Sequence, residues 1–204
     1  MDLLGRLFGS VERVKLLRLF ILNQTTIFSP EEIGRRARVA TRILRQELEL
    51  LKKIGFIEVK LVTLTPVKAK KGKKTKVSKV KGWQLCQSFP FLHPLSNLLK
   101  SDLVTRRRQI AERLARAGQI KLLVIAGIFI NEGESRADLL IVGDHLKKKV
   151  VERGVEALEA EIGRELSYAV MDTPEFTYRY HACDKFVRDI LDYPHERVVD
   201  KLKW

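Results

Sequence analysis

The chain has 204 residues, 45% of them hydrophobic and 7% aromatic, with 12 Gly and 6 Pro, which is too apolar for a disordered tail and too poor in glycine for a fibrous repeat. Lysine and arginine number 39 against 25 aspartates and glutamates, a formal net charge of +14, so polyanions are the first partners to consider. The longest apolar run, Leu122 to Ile130, is well short of a bilayer span, and no cleavage signature follows an apolar core near the N-terminus, so a cytoplasmic chain with no membrane partner is expected.

The charge is divided unevenly. Residues 1 to 118 hold 26 basic and 9 acidic side chains, whereas residues 119 to 204 hold 13 and 16. Such a shift marks a domain boundary near Gly118 and assigns the polyanion-binding surface to the N-terminal part. Cys86 and Cys183 stand alone, outside any CxxC spacing. They support neither a disulfide framework nor a zinc ribbon and are read as buried, reduced thiols.

In chain order, Val14, Leu16, Leu17, Phe20 and Ile21 predict an amphipathic helix from Val11 to Leu22. The preceding Leu7-Phe8-Gly9-Ser10 is its lead-in. Ser29-Pro30-Glu31-Glu32 joins an N-cap serine, proline at the first helical position and a capping-box glutamate, so a second helix runs from there to about Ala37. After the Arg38-Val39-Ala40 turn a third helix is expected from Thr41 to Ile54, stopped by Gly55. Its apolar stripe is Ile43, Leu44, Leu48, Leu51 and Ile54; the opposite face carries Thr41, Arg42, Arg45, Gln46, Glu49 and Lys52. Alternation over Phe56 to Val62, with Gly82 to Cys86 as partner, predicts a hairpin. Between its strands Lys68, Lys70, Lys71, Lys73, Lys74, Lys76, Lys79 and Lys81 occur without one acid. So dense a run of like charge builds no core and suits a loop that orders against phosphate.

A short helix, a tight turn and a longer helix with an Arg-bearing face form a helix-turn-helix pattern. The stretch SPEEIGRRARVATRILRQELELLKKIGFIEV resembles the winged helix-turn-helix domains of bacterial and archaeal regulators over about residues 11 to 88. It departs from them at the recognition-helix cap, where Ala40 replaces the usual Ser or Thr unless Thr41 takes that role. Arg pairs bidentately with guanine and Gln with adenine, so Arg42, Arg45 and Gln46 are the candidates for base readout. Arg38, Thr41 and the wing lysines are candidates for phosphate contacts.

Phe89-Pro90-Phe91-Leu92-His93-Pro94 punctuates the chain, and a connector helix is expected from Leu95 to Ala117, with Leu98, Leu99, Leu103, Ile110 and Leu114 on its apolar side. Arg106-Arg107-Arg108 either extends the phosphate footprint or is an exposed helical face, and His93 is structural. Strand runs at Lys121 to Ile130, Arg136 to Val142 and Glu165 to Met171, with a helix from Leu146 to Ile162, make an α/β pattern. The segments IKLLVIAGIFINEGESRADLLIVGD and LEAEIGRELSYAVMDTPEF look like the minimal nucleotidyltransferase fold over about residues 118 to 200. In that family a Gly-Ser turn meets the nucleotide phosphates, and two aspartates at i and i+2 on the second strand hold Mg²⁺. Here Gly127 keeps the glycine position, Ile128 replaces the serine, Arg136 replaces the first aspartate and Asp138 keeps the second. A guanidinium beside one carboxylate repels a cation and is a ready partner for Asp138, so no transferase activity, metal or cofactor is expected. Tyr178, Tyr180 and Phe186 are read as packing aromatics, and His145, His181 and His195 as incidental.

The expected fold is therefore α+β with two domains: a winged helix-turn-helix over residues 1–88, a connector helix over 89–118 and a nucleotidyltransferase-like pseudoenzyme domain over 119–204. The resemblances imply a homodimeric transcriptional regulator of double-stranded DNA whose second domain dimerises or meets a small-molecule or protein effector. The alternative is a divergent nucleotidyltransferase that docks a nucleic-acid or protein substrate on its basic domain.

Overall fold

The computed structural model describes residues 3–64, 78–105, 107–130 and 135–202, and of these the backbone alone at 62–64, 78–80, 103–105 and 107–108. The fold is mixed α and β, with two small sheets. It divides into two units, Met1–Ser96 with Ala160–Arg164, and Asn97–Glu159 with Glu165–Trp204.

In the first unit a short helix not foreseen from the sequence, α1 (Leu3–Leu7), precedes α2 (Val11–Leu22), whose N-cap Ser10 accepts the Arg13 N–H. α2 differs from the amphipathic helix expected. Every residue from Leu16 to Ile21 is buried, Arg18 included, because the rest of the unit surrounds this helix, and a helix apolar on all sides is a central one. Arg18 donates from Nη1 to the Glu161 carbonyl at 3.0 Å, and Asn23 donates to the Gly163 carbonyl at 2.8 Å. α3 (Pro30–Ala37) begins at its Ser29 cap, and α4 (Thr41–Lys53) ends where Gly55 takes φ +77° and the Phe56 N–H bonds back to Leu51. β1 (Ile57–Leu64) and β2 (Ser78–Leu85) pair antiparallel with Ile57 opposite Leu85. Phe28 adds a two-bond bridge to Trp83. Phe20 meets Phe28 and Phe56 edge-on, at 6.0 and 6.5 Å between ring centres, and so fastens the helices to the hairpin.

One ion pair fixes α4 against α2. Arg13 donates to both Glu47 oxygens at 2.8 and 3.2 Å and also reaches the Phe8 carbonyl. Glu47 is only 7% exposed, so Arg13→Ala strands a carboxylate away from water. That substitution is expected to lower the unfolding free energy by about 2 kcal/mol, read by urea denaturation, with Glu47→Gln costing less because the charge it leaves unpaired is that of Arg13, whose side chain is 30% exposed, and the glutamine oxygen can still accept from it.

α5 (Leu92–Thr105), whose residues up to Ser96 belong to the first unit, and α6 (Arg107–Leu114) stand where one connector helix was expected; Arg106 lies outside the described residues. The four-stranded sheet of the second unit has the order β5-β4-β3-β6. β3 (Gln119–Ile125) lies antiparallel to both β4 (Leu139–Asp144) and β6 (Glu196–Asp200). β4 and β5 (Tyr168–Met171) are parallel, joined through α7 (Lys148–Ile162), the crossover that parallel strands need. Leu122 to Ile125 and Leu139 to Val142 are buried throughout, as befits strands covered on both faces. On one face Leu122, Val124, Leu140 and Val142 pack with Phe176 of α8 (Thr173–His181) and with Val187 and Ile190 of α9 (Lys185–Leu191). The first strand is shorter than expected: it stops at Ile125, and Gly127–Phe129 forms a 3₁₀ turn.

Candidate nucleic-acid interface

α3 ends at Arg38, which is exposed and takes the left-handed conformation (φ +50°, ψ +49°); buried Val39 anchors the turn. Ala40 is the N-cap of α4 and no side chain caps it, so Thr41 is the first helical residue and does not fill the capping role. The first intrahelical bond runs from the Leu44 N–H to the Ala40 carbonyl. The N–H groups of Thr41, Arg42 and Ile43 thus form an uncompensated positive helix end.

Leu44, Leu48 and Leu51 face the core, while Ile43 and Ile54 are 38% and 53% exposed. The apolar stripe is therefore narrower than expected, because Arg13 and Glu47 occupy part of the face against α2. Thr41, Arg42, Arg45, Gln46, Glu49 and Lys52 are all exposed. Among the described residues Arg42, Arg45 and Gln46 make no side-chain hydrogen bond or ion pair, so their donors remain available.

A groove of about 600 Å³ runs beside this face. Its floor is apolar, from Pro30, Val39, Leu44, Leu48 and Trp83, and its rim carries Glu31, Arg35, Thr41, Arg45 and Glu49. Sequence reasoning missed Arg35 and Trp83. The spacing of Arg35 one turn after Glu31 was a usable signal, whereas the place of Trp83 depends on a long-range bridge to Phe28. On the hairpin Lys81 is exposed, Lys60 pairs with Glu58 at 2.9 Å, and Lys79 lies in β2. Lys68, Lys70, Lys71, Lys73, Lys74 and Lys76 lie outside the described residues, as do the side chains of Arg106, Arg107 and Arg108.

In the second unit Gly127 sits at φ +54°, and a Cβ there would collide with the Asp138 carboxylate. Asp138 lies just before β4 rather than within it. Its Oδ1 accepts the Ile128 N–H at 3.1 Å and its Oδ2 the Ser167 N–H at 2.9 Å. Arg136 also precedes the strand, and its partner is Asp189 of α9, at 2.7 Å, rather than Asp138. The pair of positions expected on one strand face is thus split between a half-buried backbone tie and a surface ion pair. Among the described residues no group of three or more His, Cys, Asp and Glu side chains could hold a metal ion.

Three further expectations are corrected. Cys183 is exposed and Cys86 half-buried, 3.2 Å from the Ser88 hydroxyl. Tyr178 is 74% exposed, because α8 turns it away from the sheet, while Tyr180 stacks on Phe176 and Phe186 packs on the core. His93 is exposed in the first turn of α5, where it supports no core. The Tyr168 hydroxyl is pushed above its ordinary pKa by burial first and then by Glu152, Glu159 and Glu156 of α7. No protein-family model, no curated protein and no solved structure matches this chain.

Proposed function

We propose that the chain is a DNA-binding transcriptional regulator of the cytoplasm, in which a winged helix-turn-helix unit reads duplex DNA and a nucleotidyltransferase-like unit without catalysis dimerises or senses an effector. One observation carries this reading: α4 presents Arg42, Arg45 and Gln46 outward, without partners among the described residues, beginning at an N-terminus that no side chain caps by a hydrogen bond. Arg and Gln are the residue types that pair bidentately with guanine and adenine, and the second helix of such a pair enters the major groove. The hairpin that follows α4 carries the lysine run, which supplies affinity without sequence information. In this reading Arg38 and Thr41, exposed at the turn, take the phosphate contacts.

Duplex binding followed by fluorescence anisotropy tests the proposal. Arg45→Ala is expected to weaken binding to a selected site by about tenfold or more while changing binding to unrelated duplex little, since one good base contact is worth roughly 1–3 kcal/mol. Equal losses on both duplexes would make Arg45 a phosphate contact instead. No duplex binding at moderate salt would overturn the proposal.

A further inference from the structure

Four carboxylates stand on α3 and α4, and three have a local reason to be there. Glu32 pairs with Arg36 at 3.1 Å. Glu47 is buried against Arg13. Glu31 lies in the first turn of α3, where the positive helix end favours a negative charge.

Glu49 has none of these. It is exposed, and among the described residues it bonds neither to Arg45, four residues before it, nor to Lys52 or Lys53, three and four residues after it. It also sits in the later part of α4, beyond the first turn whose positive helix end would favour its charge. Thr41, Arg45 and Glu49, spaced by four, share one side of the helix and line the same groove.

A carboxylate on a face laid against DNA is repelled by every phosphate and by the acceptor edges of guanine. It is useful only opposite a donor. In the major groove adenine shows its N6 amino group beside the N7 acceptor, which repels a carboxylate, whereas cytosine shows its N4 amino group with no acceptor of its own beside it. We infer that Glu49 is a specificity-determining residue that accepts a hydrogen bond from the N4 amino group of a cytosine. Four residues along a helix rise about 6 Å and a base step about 3.4 Å, so this cytosine lies within one or two steps of the base that Arg45 reads. The inference rests on the proposed reading of α4 as the recognition helix.

The experiment is selection from a randomised duplex library by the full chain, Glu49→Gln and Glu49→Ala, with the wild-type consensus then titrated against all three. The wild-type chain is expected to enrich a motif with one invariant cytosine. Glu49→Ala loses the preference at that position alone, and Glu49→Gln moves it toward adenine; each binds the wild-type site about tenfold more weakly. Both variants should bind unrelated duplex at least as tightly as wild type, because a charge that repels phosphate is gone. A failure to fold, or damage to the phosphate-binding surface, would move that reading in the opposite direction. Variants that enrich the same cytosine as wild type overturn the inference and leave the proposed function standing. A wild-type chain that binds duplex but enriches no motif overturns both the inference and sequence-specific readout by α4.

Discussion

Replacing Asp138 with alanine is expected to destabilise the second unit by about 3 kcal/mol, with lost hydrogen-exchange protection in β3 and β4. Its carboxylate accepts the N–H groups of Ile128 and Ser167, and the Ser167 carbonyl in turn accepts the N–H groups of Asp138 and Leu139 at 2.7 and 3.2 Å. The exchange joins the entrance of β4 to the lead-in of β5 and to the turn after β3. Hydrogen bonds to a charged acceptor are worth roughly 1.5–3 kcal/mol each, and partial exposure holds the pair toward the lower end. Asp138→Asn keeps one acceptor oxygen and should lose about half as much. Gly127→Ala is strained by its φ of +54° and by the collision of its new Cβ with Asp138, so it should cost less in the Asp138→Ala background than alone, a coupling that a double-mutant cycle reads. Both oxygens are thus already engaged by backbone donors. The wild-type chain, incubated with labelled nucleoside triphosphates and Mg²⁺, is therefore expected to transfer no label. Unchanged stability in Asp138→Ala would show that the carboxylate is no structural tie, and transfer by the wild-type chain would restore the enzymatic alternative.

Where local chemistry decides an element, the sequence was readable. Ser29-Pro30-Glu31-Glu32 located α3 because the Ser29 hydroxyl accepts the Glu32 N–H and a proline in the first turn has no N–H to leave unpaired, although the Glu32 carboxylate pairs with Arg36 rather than with the Ser29 N–H, and Gly55 located the end of α4. The same signal stands at Asp172-Thr173-Pro174-Glu175, where Asp172 accepts the Glu175 N–H at 2.7 Å and opens α8, a helix absent from the expected elements. β6 was not readable. Glu196-Arg197-Val198-Val199-Asp200 has charged ends and only partial burial, and it is a strand because β3 offers it an edge, a tertiary cause that no local pattern records. Periodicity put Thr41, Arg42, Arg45, Gln46 and Glu49 on one exposed face, yet it also counted Ile43 and Ile54 as core, since spacing cannot reveal that the pairing of Arg13 with Glu47 takes that part of α4. The sequence also showed Ile128 and Arg136 where the resemblance leads one to expect a serine and an aspartate. The engagement of Asp138 with the two backbone N–H groups was not, because it depends on a residue 29 positions away.

The largest change in binding is expected from the hairpin lysines. Replacing Lys68, Lys70, Lys71, Lys73, Lys74, Lys76, Lys79 and Lys81 together by glutamine removes eight of the 39 basic residues, six between β1 and β2 and two from the start of β2. Each lysine that neutralises a phosphate releases a condensed counterion, so the slope of log K against log salt falls by about 0.9 for every such lysine replaced. If roughly half of the eight reach phosphates, the slope drops by about 3 to 4 and affinity at physiological salt by two to three orders of magnitude. The loss should be equal on every duplex, and the selected motif should stay unchanged, because phosphate contacts position a protein without reading sequence. That pattern is the reverse of the one expected for Arg45→Ala, so titrating both variants on a selected and an unrelated duplex at three salt concentrations separates affinity from specificity. An unchanged salt slope in the glutamine variant would mean that the run is a solubilising loop and that α4 and its turn must supply the phosphate contacts themselves. Eight like charges over fourteen residues repel one another in solution, and a polyanion relieves that repulsion as it binds, so the first result is the expected one.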